Sequence, residues 1–187
     1  KTWRKYVSEN VMEVSCGEGP YLVSRYDTVT GDPIPINKRI GLLDRKLRVV
    51  GENTTTSGEW LKMAQKAFMS TYGFEWQGDN LLLARESLLY TFIDNYEYKF
   101  GERPDHELVR EIADIISWNV WQMDGLKGVI PNSCHDVENR NLYGEIERTP
   151  CPGCKTNNIH NHNGIPVLLK AFSSGNTYPF HLLSKKR

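Results

Sequence analysis

The chain has 187 residues, 39% hydrophobic and 25% charged, which supplies enough apolar material for one substantial domain with a small appendage. Lys plus Arg number 23 and Asp plus Glu number 23, so no global charge draws the protein to nucleic acid or a membrane surface, although a local basic face can still bind DNA. No apolar run approaches the roughly 20 residues of a bilayer span.

No signal-peptide pattern is present, and a start at Lys1 rather than Met is expected of a fragment or a processed form. The four cysteines (Cys16, Cys134, Cys151 and Cys154) do not form the pattern of a secreted disulfide framework, so a reducing, cytoplasmic setting is expected.

In chain order, Trp3 to Asn10 predicts a short helix or lead-in, and Val11 to Ser15 a buried strand. The strand runs into Cys16-Gly17-Glu18-Gly19, a tight Gly-x-Gly loop with a helix expected after it. Glycine lets such a backbone adopt positive φ and approach a ligand closely. From Tyr26 to about Gly58 the chain is polar and turn-rich, and within it Arg39 to Val50 mixes basic and apolar residues. Glu59 to Tyr72 predicts a helix capped by Ser57, with Trp60, Leu61, Ala64, Ala67 and Phe68 on one face.

Tyr72 to Trp76 reads as a second strand, and Leu81 to Tyr98 as a strong helix with Leu82, Leu83, Leu88, Leu89, Phe92 and Ile93 available for burial. Another helix opens at Pro104-Asp105 and runs from His106 to about Ile116, followed by a strand and turn over Trp118 to Gly125. This alternation predicts an α/β fold with a parallel sheet. After Pro131 the chain turns rich in Asn, Cys, His, Gly and Pro, with one strand-like run from Ile165 to Leu169 and a terminus at Ser184 to Arg187 expected to fray. The expected division is 1–131 and 132–187.

In a doubly wound parallel sheet the ligand sits beyond the carboxyl ends of the strands. The glycine loop occupies such an end after the first strand, Glu75 the end of the second, and Asp124 the end of the third. Glu75 is placed to accept hydrogen bonds from ribose hydroxyls, Asp124 to hold an adenine amino group, and Trp76 to line the adenine pocket. Read plainly, the same residues are a packing turn, a solvated strand end and a turn-stabilising Asp.

The run Glu13 to Leu22 resembles the S-adenosylmethionine loop of DNA methyltransferases that modify exocyclic amino groups, where a strand leads into Cys-Gly-x-Gly. Tyr72-Gly73-Phe74-Glu75 with Leu82 to Leu89 is similar to that family's second segment, and Asn119 to Leu126 to its third. Ser24 to Asp27, Arg39 to Arg48 and Trp121 to Leu126 resemble runs in modification subunits of restriction systems. The resemblance implies a Rossmann-like domain binding S-adenosylmethionine through Cys16, Gly17, Gly19, Glu75, Trp76 and Asp124. It also implies DNA and a restriction–modification subunit as partners, and methyl transfer to a base amino group. That chemistry needs Asp or Asn, then Pro-Pro and an aromatic residue, to hold a flipped base. The chain has no Pro-Pro pair, so no catalytic residue is assigned. A non-catalytic DNA-recognition or regulatory subunit, or a restriction nuclease component, is the alternative reading.

Cys151-Pro152-Gly153-Cys154 followed by His160 and His162 forms a second constellation, since a Cys-x-x-Cys knuckle sets two thiolates on one side of a zinc ion. Cys151, Cys154, His160 and His162 are the expected ligands of a structural zinc, with Cys134 and His135 as alternatives. Without metal this is a polar loop with free thiols. His160-Asn161-His162 lacks the separation that a small His-based metal nuclease needs. Lys38, Arg39, Arg45, Lys46 and Arg48 form a basic run that reads as phosphate-contacting or as a solvated face, the latter favoured because Asp44 lies among them.

Overall fold

The computed structural model describes residues 2–183, so the run Ser184 to Arg187 lies outside it. The protein is mixed α/β and divides into two compact units, Lys1–Trp121 and Gln122–Arg187. The division falls earlier than the break expected at Pro131. The physical reason is that the turn after Asp124 is already paired with later chain: Val129 bridges Pro166, Ile130 N–H donates to Ile165 O, and Val167 N–H to Gly128 O.

The first unit carries a three-stranded parallel sheet in the order β1 (Val11–Glu13), β2 (Thr71–Glu75), β3 (Val120–Gln122). Val11, Met12 and Glu13 pair in parallel with Thr71, Tyr72 and Gly73. Helices α2 (Leu42–Asn53) and α3 (Ser57–Met69) link β1 to β2, and α4 (Gly78–Phe100) and α5 (His106–Asn119) link β2 to β3, while α1 (Thr2–Val7) precedes the sheet. Thr56 rather than Ser57 caps α3, accepting from the Glu59 N–H, and Asp105 caps α5 through Leu108 N–H. The core is a cluster of rings: Trp60 lies 5.9 Å from Phe92 and 5.6 Å from Tyr96, and Phe68 packs edge-on to Phe92.

Several expectations need correction. The inward face of α4 is Leu81, Ala84, Leu88, Thr91, Phe92, Asn95 and Tyr96, a repeat of three and four, and this turns Leu82 and Leu83 outward to solvent. No helix follows the glycine loop. The chain instead turns back, with Leu22 and Val23 N–H both donating to Gly19 O and both residues buried, and α2 begins only at Leu42.

That helix α2 lies inside the stretch read as irregular, and its buried face explains why. It comprises Leu43, Asp44, Lys46, Leu47 and Val50, so two charged residues point inward. The basic run is therefore neither a phosphate stripe nor a uniformly solvated face. Lys46 is 1% exposed, and its Nζ donates to Glu9 O (2.6 Å), Ser70 Oγ (2.8 Å) and Ser70 O (3.2 Å). Arg39 is buried against Asp94 (2.8 Å), which also receives Arg25 (3.1 Å), and Arg48 donates to Arg39 O. Lys46 thus ties the chain two residues before β1 to the residue immediately before β2.

The second unit holds two antiparallel hairpins, β4 (Val137–Arg140) with β5 (Ile146–Thr149), and β6 (Leu168–Lys170) with β7 (Thr177–Pro179), plus the short helix α6 (Pro152–Thr156). Its buried hydrophobic residues are few: Met123, Val129, Cys151, Val167 and Leu169.

Burial pulls the pKa of Lys46 down from 10.5 to about 8. The unfolded chain then holds this proton more tightly than the folded one, so stability from this residue rises with pH between about 8 and 10.5 and carries its full desolvation cost below that window. Urea unfolding of wild type and Lys46→Met across this range should show the difference in midpoint moving in favour of wild type as pH rises. A constant difference would refute the assignment.

Candidate metal centre and glycine-loop site

The second unit brings four donor atoms together. The ligand atoms of Cys134, Cys151, Cys154 and His162 all lie within 4.8 Å of one another. From His162 Nδ1 the distances are 3.6 Å to Cys134 Sγ, 3.8 Å to Cys151 Sγ and 3.7 Å to Cys154 Sγ. Bonds of about 2.3 Å to sulfur and about 2.0–2.1 Å to nitrogen at tetrahedral angles separate the two ligands by about 3.6 Å. The four residues can therefore hold a metal ion such as zinc, as a Cys3His group.

Local structure explains how they meet. Cys151 and Cys154 flank the first turn of α6, with Pro152 just inside its start. Gly153 sits where any Cβ would come within 2.5 Å of His162 N, and Gly164 where it would come within 2.5 Å of Ser133 Oγ and 3.1 Å of Cys134 Sγ. Glycine at both positions lets His162 and Cys134 close on the knuckle. Asn163 clamps the far side: its Nδ2 donates to His135 O, its Oδ1 accepts from His135 N–H, and its own N–H donates to Cys151 Sγ.

The thiols are not equivalent. Burial opposes ionisation of Cys151, but N–H groups of Asn163 and Cys154 and the His162 ring outweigh it and bring its pKa down to about 6. Burial and hydrogen bonds donated by the Cys134 thiol to Cys151 and Cys154 push Cys134 up to about 11. Lys127 pairs with Asp124 at 3.3 Å, and this bond and the nearby Cys154 and Cys134 raise its pKa.

The ligand set differs from the one expected in a single member. Cys151, Cys154 and His162 converge as predicted, but Cys134 takes the place given to His160. The His160 ring stands edge-on to His181, with centroids 5.9 Å apart, and its Nδ1 is buried without a partner. His160 and His162 are two residues apart in an irregular loop, and the geometry that aims one ring at the knuckle aims the other away. Of the two upstream alternatives, Cys134 converges while His135 is exposed and engaged through its backbone.

In the first unit, the glycine loop and Glu75 do meet. Gly17 and Gly19 have φ of 54° and 83°, in the left-handed region. Gly17 N–H donates to Glu75 Oε2 at 2.7 Å, and Gln77 N–H to Oε1 at 3.1 Å. Glu75 is 7% exposed, not a solvated strand end. Gly19 packs on α4, where a Cβ would sit 3.5 Å from that of Ala84. Cys16 is buried beneath the loop, and burial together with the charge of Glu75 raises its thiol to about 12, so it is inert packing.

A cavity of about 530 Å³ opens beside the loop, lined by Ser15, Cys16, Gly17, Tyr21, Arg25 and Ser87 among others. Arg25 was not singled out by sequence, since a lone Arg beyond the loop carries no spacing signal. Trp76 is half-exposed beside Glu75. Asp124 belongs to the second unit and its carboxylate is used locally, accepting from Leu126 N–H at 3.1 Å and pairing with Lys127.

No protein-family model, curated protein or solved structure matches this chain. No helix among the described residues is long and apolar enough to cross a membrane.

The two ligand sets are separable by metal analysis. Wild type and His160→Ala should each carry about one equivalent of zinc by native mass spectrometry, and Cys134→Ser should bind at least ~10-fold more weakly. Retention by Cys134→Ser with loss in His160→Ala would reverse the assignment.

Proposed function

We propose that this chain is an S-adenosylmethionine-binding protein related to the amino-methylating DNA methyltransferases of restriction–modification systems, with a second unit stapled by structural zinc. The observation that carries this reading is the 2.7 Å bond between Gly17 N–H and Glu75, made at the carboxyl ends of two adjacent parallel strands. That is where parallel α/β sheets hold nucleotide-like ligands. The resemblance of Glu13 to Leu22 and of Tyr72 to Glu75 to methyltransferase segments supports the same reading.

S-adenosylmethionine, when bound, supplies an electrophilic methyl group on its sulfonium. The residues of this chain supply the seat. Gly17 and Gly19 let the loop backbone come close, Glu75 fixes the loop and keeps unused lone pairs for a ribose hydroxyl, and Trp76 offers a ring at the rim. DNA is the expected partner and the cytoplasm the expected setting. A second reading is favoured by one observation: the sequence holds no Pro-Pro pair and so no base-holding motif of that family. Under it the chain binds cofactor or DNA as a recognition or regulatory subunit and leaves methyl transfer to a partner.

Calorimetry on the whole chain tests the cofactor. Wild type should bind S-adenosylmethionine saturably, and Glu75→Ala, which frees Gly17, should bind it about tenfold or more weakly. Folded wild type that takes up no ligand at millimolar concentration would exclude the reading.

A further inference from the structure

The cavity of about 530 Å³ beside the glycine loop is lined by neither Glu75 nor Trp76, so it adds walls of its own to the site. Its volume lies within the range of small-molecule sites. Its charged lining residues are one guanidinium, Arg25, and two exposed carboxylates, Glu18 and Asp27.

Arg25 is fixed from several sides. Its Cζ lies 5.0 Å from the ring centroid of Tyr90 and 5.5 Å from that of Tyr26, and its Nη2 lies 3.1 Å from Asp94 Oδ2. That oxygen is shared, since it also accepts from Arg39 Nη1 at 2.8 Å, so Arg25 has no acid to itself. Arg25 Nε is enclosed and out of a ligand's reach. Nη1 is not an enclosed atom, it has no hydrogen-bond partner among the described residues, and the side chain keeps 13% of its surface exposed. Nη1 is therefore the donor that Arg25 offers to the cavity it lines. A guanidinium held in one place with a donor to spare suits a carboxylate.

Asp27 is fixed as well. Its Oδ1 accepts from Val29 N–H at 2.8 Å and Thr30 N–H at 3.1 Å, and these bonds hold its carboxyl below its ordinary pKa. Oδ2 is left for another donor. The three charges together narrow the ligand. A lone anion in this cavity would meet Glu18 and Asp27, and a lone cation would meet Arg25. A group carrying a carboxylate and an ammonium side by side satisfies both signs.

We propose that this cavity holds a zwitterionic α-amino-acid head group, its carboxylate on Arg25 and its ammonium facing Asp27 and Glu18. Two sources carry that chemistry: the methionyl end of S-adenosylmethionine, which rests on the reading above, and a free amino acid such as methionine.

The test is calorimetry and ligand-observed NMR on the full chain with two ligand pairs. One is S-adenosylmethionine and its decarboxylated form, the other methionine and 3-(methylthio)propylamine, and the members of each pair differ only in the carboxylate. Wild type should bind the carboxylate-bearing member of at least one pair about tenfold more tightly than its partner. Arg25→Ala should bring the two members of that pair to equal affinity. General loosening of the fold would weaken both and leave their ratio unchanged. Asp27→Asn covers the case in which loss of Arg25 unsettles Asp94, because position 27 is exposed and the carboxamide oxygen can keep the Val29 and Thr30 bonds. It should weaken both members alike, by about threefold, since both carry the ammonium. A preference confined to the methionine pair, with no uptake of S-adenosylmethionine, would support the head-group site and exclude the cofactor. S-adenosylmethionine binding with no preference in either pair would keep the cofactor and overturn the head-group site. A preference unchanged in Arg25→Ala, or no binding of any of the four by folded wild type, would overturn it too.

Discussion

Three cysteine sulfurs and an imidazole nitrogen held within 4.8 Å of one another form a cluster of electron-rich atoms, and Gly153, Asn163 and Gly164 of the second unit permit that crowding. Once ionised, the thiolates repel each other unless a cation lies among them. Among its described residues the unit has little else to hold it: five buried hydrophobic residues, one of them Cys151 of the cluster, against two short hairpins and a short helix. A core this thin does not offset the entropy of ordering its loops, and small modules in this position rely on a staple. Gly153 and Gly164 give up side chains so that His162 and Cys134 can close, and Asn163 spends three hydrogen bonds on bracing the ring of ligands. A metal ion held by these four residues would couple its binding to the folding of this unit.

The first unit solves the same problem by the opposite means. Its rings and aliphatic side chains form a real core, and two of the charged residues buried in it, Asp44 and Lys46, are matched mainly to backbone rather than to each other. Asp44 collects N–H groups at Ser24 and Gly41, while Lys46 gathers carbonyls at Glu9 and Ser70. A single turn of α2 therefore fixes both the return of the chain after the glycine loop and the starts of the two parallel strands. Replacing such groups by apolar ones leaves backbone partners stranded, which is why buried ions of this kind hold a chain path in place better than they add to stability. The position of the loop relative to β2 follows from that anchoring.

These two strategies explain what the sequence disclosed. Helices α3 and α5 were legible because their buried residues are apolar and recur at three and four, and α4 was legible in extent although not in which leucines it buries. Helix α2 was hidden because a hydropathy pattern scores Asp44 and Lys46 as surface, while the fold uses them as core. The hairpin β4–β5 gave no alternation since nearly all its residues are exposed, and it is held by backbone pairing and the Arg148–Glu138 bridge. In the metal centre the Cys-x-x-Cys knuckle was evident from spacing alone. The choice between Cys134 and His160 was not, because it depends on long-range closure around Gly164 and on which way one ring in an irregular loop turns.

Glu75 shows how a residue chosen for contact with a ligand can have an earlier task. A buried carboxylate at the end of β2 needs donors, and it finds them in Gly17 and Gln77. The bond to Gly17 holds a backbone whose left-handed φ would otherwise be one of many for glycine, so the entropy of shaping the loop is settled during folding rather than at binding. Cys16 reinforces this from below: Gly73 leaves the space its sulfur fills, and a Cβ there would lie 3.2 Å from Cys16 Sγ and 2.8 Å from Leu22. The loop, the strand beneath it and the acid beside it thus form one rigid piece. Arg25 and Ser87 line the cavity that opens beside this piece, so the groups facing that space come from the return of the chain and from α4 as well as from the glycines.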